Sequence, residues 1–206
     1  MKTVIIATIL LGLSSVAAQA QEDIDWMYAT LTTAAGDTEC SLFVRPDGQG
    51  TPLTAAFVPY SDPIDATITL LLTDYNLDPI VGFPAEDMWL ETADDGMAAC
   101  IAGTIADGPT GADGETTWTG SPLAGGNSGG ETMHGVVSGW RLAAPLPITV
   151  NSSDINGDLL VNLTDIAMFA QTLFGSYNYA ADFNFDGVVN LVDIVRFIPS
   201  IGTSCP

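Results

Sequence analysis

Apolar and polar positions alternate with a period near two over much of the first 150 residues, and then switch to helical spacing. The clearest alternation is at 66–73, where Ile68, Leu70 and Leu72 are set mainly against threonine, the pattern of a half-buried strand. Short β-branched and aromatic runs at 26–32, 41–44, 53–58, 88–92, 115–119 and 133–141 predict further strands. Turn signals separate them, among them Arg45-Pro-Asp-Gly48, Ala93-Asp-Asp-Gly96 and Gly111-Ala-Asp-Gly114. Short strands divided in this way predict a mainly β fold, a β-sandwich over 21–150. Two later stretches, 163–174 and 191–198, predict helices that are apolar nearly all round. Such helices are normally covered on more than one side, either by the chain's own β-domain or by a separate partner. Between the two regions, 142–153 contains Pro145 and Pro147 and predicts a short semi-rigid linker that limits folding back.

A polar twelve-residue stretch leads into each helix, and both read D-x-N-x-D-x-x-x-N-x-x-D. The first carries Asp154, Asn156, Asp158, Asn162 and Asp165, the second Asp182, Asn184, Asp186, Asn190 and Asp193, displaced by 28 residues (182 minus 154). In a calcium loop the side chains at positions 1, 3, 5, 9 and 12 and the carbonyl at 7, here Leu160 and Val188, converge on one hard cation. The expectation is therefore two calcium ions, one per loop. The competing reading is a pair of Asx-rich turns that cap helices without any metal. Position 6 is Gly187 in the second loop but Leu159 in the first, and position 12 is Asp in both, so the first site is expected to be the weaker.

No helix enters either loop from its N-terminal side, which excludes an ordinary helix-loop-helix hand. Loop followed by helix, duplicated over 154–201, resembles the type I dockerin. The resemblance implies calcium-dependent folding and docking onto a β-sandwich partner, a cohesin, through the outer helix faces. It places Leu163, Thr164, Leu191 and Val192 at the docking positions, which are largely apolar here. Within 64–141, the run from Ala66, the Asp74 to Val81 turn, the segment from Thr110 to Trp118, and Ala124-Gly-Gly126 resemble a bacterial immunoglobulin-like domain of the invasin kind. That resemblance implies a structural or adhesive module without catalysis. The expected organisation is a signal segment (1–20), an immunoglobulin-like β-sandwich (21–150) and a small α-helical dockerin-like module (151–206).

Lys2, the apolar run 4–13 and Ala18-Gln-Ala20 read as a secretory signal, and predict a secreted chain, extracellular or at the cell surface. Beyond it only Arg45, Arg141 and Arg196 offset 25 acidic residues, a formal charge of 3 minus 25, or −22. Such a surface repels nucleic acid and anionic lipid, and no later segment is apolar enough for membrane insertion. Three cysteines, Cys40, Cys100 and Cys205, allow three pairings. Cys40 with Cys100 is favoured because both fall in the β-domain.

Other motifs are weaker. Ser128 lies in a glycine-rich loop and His134 just beyond it, but the order and spacing do not make a catalytic triad. Glu86 with Asp87 and Asp94 with Asp95 sit at turns, and Trp26, Trp89, Trp118 and Trp140 fall in predicted strands, where core packing is the default. Asn151 matches a glycosylation acceptor pattern. The function these features favour is a non-enzymatic structural protein that docks on further copies of itself, head to tail, as an extracellular fibre. The alternative is an adhesion or carbohydrate-binding cargo held by a separate scaffold. A small hydrolase is the least supported reading.

Overall fold

A computed structural model describes residues 28–206. The expected signal segment and Trp26 lie outside the described residues. The chain is mainly β, with short helices near its C-terminus. Its strands are β1 (Tyr28–Thr33), β2 (Cys40–Val44), β3 (Ile68–Thr73), β4 (Met88–Thr92), β5 (Met97–Ala99), β6 (Glu115–Trp118), β7 (Ala124–Gly126), β8 (Met133–Val137), β9 (Trp140–Arg141) and β10 (Ile148–Ser152). Among the described residues they form the sheets β1-β3-β6 and β4-β8-β9, the antiparallel pair β5-β7 and the parallel pair β2-β10. Alternation decides which side chains turn inward: Ile68, Leu70 and Leu72 of β3 meet Met88 and Leu90 of β4 in one apolar core.

Two expected strands take other forms. At 53–58 the chain begins with a 3-10 turn, Leu53–Ala55, set up by Pro52, and then makes isolated bridges, Phe57 with Ser41 and Ala56 with Ile64. At 133–141 the run folds over as the β8-β9 hairpin, because Ser138 and Gly139 both take positive φ. Trp118 is buried, its indole N–H donating to the Thr104 carbonyl at 3.0 Å. Trp140 is exposed at the hairpin tip, contrary to the core expectation.

The segment expected to be a linker is instead structural. Residues 148–152 are β10, which runs parallel to β2 with Ile148 opposite Cys40 and Ser152 opposite Val44. Pro147 does not break this pairing because it contributes its carbonyl, which accepts from the Cys40 N–H at 3.0 Å. The expected boundary at 150/151 thus falls inside a strand.

The β2-β10 ribbon is a wall between two cores. Leu42, Val44, Ile148 and Val150 point into the β-domain core, whereas Phe43, on the opposite face of β2, points into a second core. That second core belongs to α1 (Leu163–Leu173) and α2 (Leu191–Phe197), helices predicted to within one residue of their ends. Phe183 is its centre, wholly buried, with ring centroids 5.2 Å from Phe43, 5.6 Å from Phe169 and 5.8 Å from Phe197. Phe57 adds a second contact from the β-domain, 6.0 Å from Phe185, and the Arg196 guanidinium lies 5.2 Å over the Phe57 ring. The β-domain therefore covers one side of the helical module.

Cys100 is bonded to Cys205, not to Cys40. Cys40 is carried by β2 into the apolar core, where burial pushes its thiol up to about 11 and leaves it free. Cys100 closes on the C-terminal tail instead, because that tail returns alongside the first loop: Val161 N–H donates to Thr203 O at 2.9 Å, and Leu160 bridges Ser204. Among the described residues no helix is long and apolar enough to cross a membrane.

Candidate functional site

The two polar loops are built alike. Asp154 at position 1 accepts from the backbone N–H of Gly157 and Asp158 through Oδ1, and from Leu159 through Oδ2 at 2.7 Å. Its counterpart Asp182 accepts from Asp186 through Oδ1 and from Gly187 through Oδ2 at 2.8 Å. At position 12, Asp165 reaches back across the first loop to the N–H groups of Ile155 and Asn156 with Oδ1, and to Asn162 with Oδ2. Asp193 repeats this with Phe183, Asn184 and Asn190. The intermediate positions match as well, with Asp158 and Asp186 accepting from Leu160 and Val188 at positions 7.

Loop and helix share these residues. Asn162 accepts from Thr164 N–H and Asn190 from Val192 N–H, so position 9 is also the cap of the following helix. Asp165 and Asp193 close the reciprocal half of each capping box. A change in the loop is therefore transmitted to the first turn of the helix.

The electrostatics of this arrangement are one-sided. Asp154, Asp165 and Asp193 are 0% exposed and Asp182 is 1% exposed. The arginines are engaged elsewhere: Arg45 pairs with Asp47, Arg141 with Glu91 and Asp95, and Arg196 lies over Phe57. Burial holds the Asp154 carboxyl above the usual carboxylate range, with Asp165 and Asp158 pushing the same way. Burial also raises Asp193. Among the described residues no three acidic, histidine or cysteine side chains alone form a metal cluster. Each loop instead offers a mixed set of hard oxygens, three carboxylates with two asparagine amides and one main-chain carbonyl, which suits a calcium-sized cation better than a soft metal. Buried carboxylates without a cation are costly, so the donor set and its burial both fit such an ion.

The turn at position 6 shows what the sequence departure costs. Gly187 takes φ +82° and Leu159 takes φ +68°, both in the left-handed region. A side chain there costs roughly 1–2 kcal/mol. Leu159→Gly is expected to raise the stability of the chain by about 1 kcal/mol, part of the relief being lost with the half-buried leucine side chain. Urea denaturation would read the change, and an unchanged midpoint would mean the first loop carries no such strain.

Beside the loops the structure adds Tyr177, which the sequence did not single out, and shows what Asn151, Ser128 and His134 do. Tyr177 donates its hydroxyl to Asp182 Oδ2 at 3.1 Å, and burial, together with that carboxylate, pushes the phenol up to about 12. Asn151 lies wholly buried on β10 and donates to the carbonyls of Tyr179 and Asp182 at 2.6 and 2.7 Å, so in the folded chain it is no glycosylation acceptor. Ser128 is buried and its hydroxyl accepts from Val150 N–H at 3.0 Å, while His134 bonds the Leu142 carbonyl. Ser128 thus braces β10, and His134 holds the chain just after the β8-β9 hairpin.

The expected docking residues lie on the other side of the module. Leu163 is 80% exposed, Leu191 72% and Val192 50%, and Thr164 is also exposed. Val195 and Ile198, at helical spacing from Leu191, are exposed as well. Residues 150–201 match the model of the type I dockerin domain. No curated protein and no solved structure matches the chain.

Proposed function

We propose that this chain is an exported, non-enzymatic protein whose dockerin-like module binds two calcium ions and docks a protein partner through the outer faces of α1 and α2. The observation that carries the reading is the unequal covering of the helices. The β-domain occupies one side through Phe43 and Phe57, yet Leu163, Leu191, Val192, Val195 and Ile198 remain open to solvent. Large apolar side chains left exposed on both helices of a folded chain are what a docking partner would cover.

Calcium would be held in the first loop by Asp154, Asn156, Asp158, Asn162, Asp165 and the Leu160 carbonyl. In the second it would be held by Asp182, Asn184, Asp186, Asn190, Asp193 and the Val188 carbonyl. The ion supplies the positive charge the buried carboxylates lack. Because position 9 caps the helix and position 12 closes the loop, holding those groups fixes the first turn that presents Leu163 and Thr164, or Leu191 and Val192. By the resemblance of the module the partner is a cohesin-like β-sandwich, and the β-domain, read as immunoglobulin-like, is its adhesive or structural cargo.

Self-assembly into fibres is the other occupant of the same surface. It draws less support than the sequence implied, because no free linker holds the module away from its own β-domain: β10 ties the two together. Surface plasmon resonance against immobilised cohesins, paired with light scattering of the chain alone, separates the two readings. We expect calcium-dependent binding that falls at least tenfold in Leu191→Asp, and a monomer in the absence of partner. Growth with calcium into large species would favour the fibre. A monomer that engages no cohesin at saturating calcium would overturn the docking reading.

A further inference from the structure

We infer that Gly125 of β7 is a positioning residue for the first calcium loop: the side chain it lacks leaves the space that the Asp154 carboxylate occupies, so the β-domain completes that site. A Cβ built on Gly125 would lie 1.8 Å from Asp154 Oδ2 and 2.7 Å from its carboxyl carbon. No backbone demand explains this glycine, since its φ is not in the left-handed region, in contrast to Gly126 at +74°. Space, not conformation, is what a side chain would remove.

The backbone cannot retreat on either side. Gly125 is paired with Ala98 of β5, and the neighbouring Gly126 N–H donates to the Asp154 carbonyl at 2.7 Å. Ser152 ties the entry to the loop by donating to the Ala124 carbonyl and accepting from Asp154 N–H. A methyl group at 125 must therefore move the Asp154 carboxylate, the group that gathers the N–H donors of Gly157, Asp158 and Leu159. The second loop is held differently. Asp182 is steadied by Tyr177 and Asn151, and among the described residues no β-domain glycine approaches its carboxylate as Gly125 approaches that of Asp154. The two sites are thus expected to respond separately.

This inference rests on the calcium reading of the loops, and the test keeps the two apart. Calorimetric titration of the intact chain with calcium is made for the wild type, Gly125→Ala and the control Gly120→Ala, at which a Cβ meets nothing within 4 Å. We expect two sites in the wild type and in the control. Gly125→Ala should keep one site at wild-type affinity and weaken the other by about a hundredfold or more. A wild type that takes up no calcium overturns the loop reading and the inference with it. Two unchanged sites in Gly125→Ala overturn the inference alone.

Thermal unfolding in excess chelator gives a readout independent of the ion. Gly125→Ala is expected to lower the midpoint in the wild-type background and to have little effect when Asp154→Gly has removed the carboxylate. Equal losses in both backgrounds would make Gly125 a general packing position and overturn the proposal. If Gly125→Ala fails to fold, restored folding in the double variant supports it, and a double variant that also fails overturns it.

Discussion

Chelation of calcium is expected to lower the thermal midpoint of the intact chain by roughly 10 °C or more, and to do so in a single transition. Each loop buries its position 1 and position 12 carboxylates, and among the described residues no basic side chain pairs with them. Without a cation those groups must repel one another or take up protons, and with it their mutual attraction to the ion becomes folding free energy. A site filled at a hundredfold excess over its dissociation constant contributes about 2.7 kcal/mol. Two such sites give about 5 kcal/mol, and a chain of this size shifts by about 2–4 °C per kcal/mol. The single transition follows from the shared β2-β10 ribbon, which leaves neither core complete without the other. Asp182→Ala should reproduce about half of the shift in saturating calcium. Scanning calorimetry checks all three statements, and a midpoint indifferent to chelator would return the loops to the role of Asx-rich helix caps.

Phe183→Ala is expected to be among the most damaging single substitutions in the chain, at about 3–5 kcal/mol. The ring is wholly buried and stands between Phe43 of the β-domain and Phe169 and Phe197 of the helices. Truncation removes a large apolar side chain and leaves a cavity at the junction of α1, α2 and β2, none of which can close the gap without losing its own pairing. It also lies at position 2 of the second loop, where its N–H donates to Asp193 at 2.8 Å. The damage should therefore weaken calcium binding as well as stability. Urea denaturation with parallel calcium titration measures both. A cost under 1 kcal/mol would show that the module is not anchored through this ring.

Much of this site was legible because its signals are local. The spacing of Asp and Asn in the two loops marks the side chains that gather each loop's own backbone N–H groups, and Asn162 and Asn190 mark the helix starts within their own twelve residues. The strands β2, β3, β4 and β6 were likewise readable from alternation and flanking turns. What escaped depends on distant partners. β5 and β7 are three residues each, and β7 is Ala124-Gly-Gly126, with no apolar run to notice. β10 does show alternation in Ile148 and Val150, but the two prolines before it read as a spacer until β2 supplies the matching edge. The cysteines mislead for the same reason. Shared membership of a domain favoured Cys40 for Cys100, whereas the actual bond depends on where the C-terminal tail returns. Gly125 was read only as part of the Ala124-Gly-Gly126 stretch, since only the position of a neighbouring carboxylate gives its missing side chain a purpose.

The pairing of β10 with β2 also sets an order of events in folding. Ile148 and Cys40 stand 148 minus 40, or 108, residues apart, and each lies wholly or almost wholly within the β-domain core. Contacts of such long range are slow to form, because the chain between them must be gathered first. An N-terminal portion ending before residue 148 would leave an unpaired β2 edge and a gap where Ile148 and Val150 belong, the condition in which β chains stick to one another. The acidic loop that begins at Asp154 follows β10 directly. An ion captured there would act as a latch on the last strand to arrive, making the metal content of the surroundings a determinant of how fast the chain matures and how much of it is lost on the way.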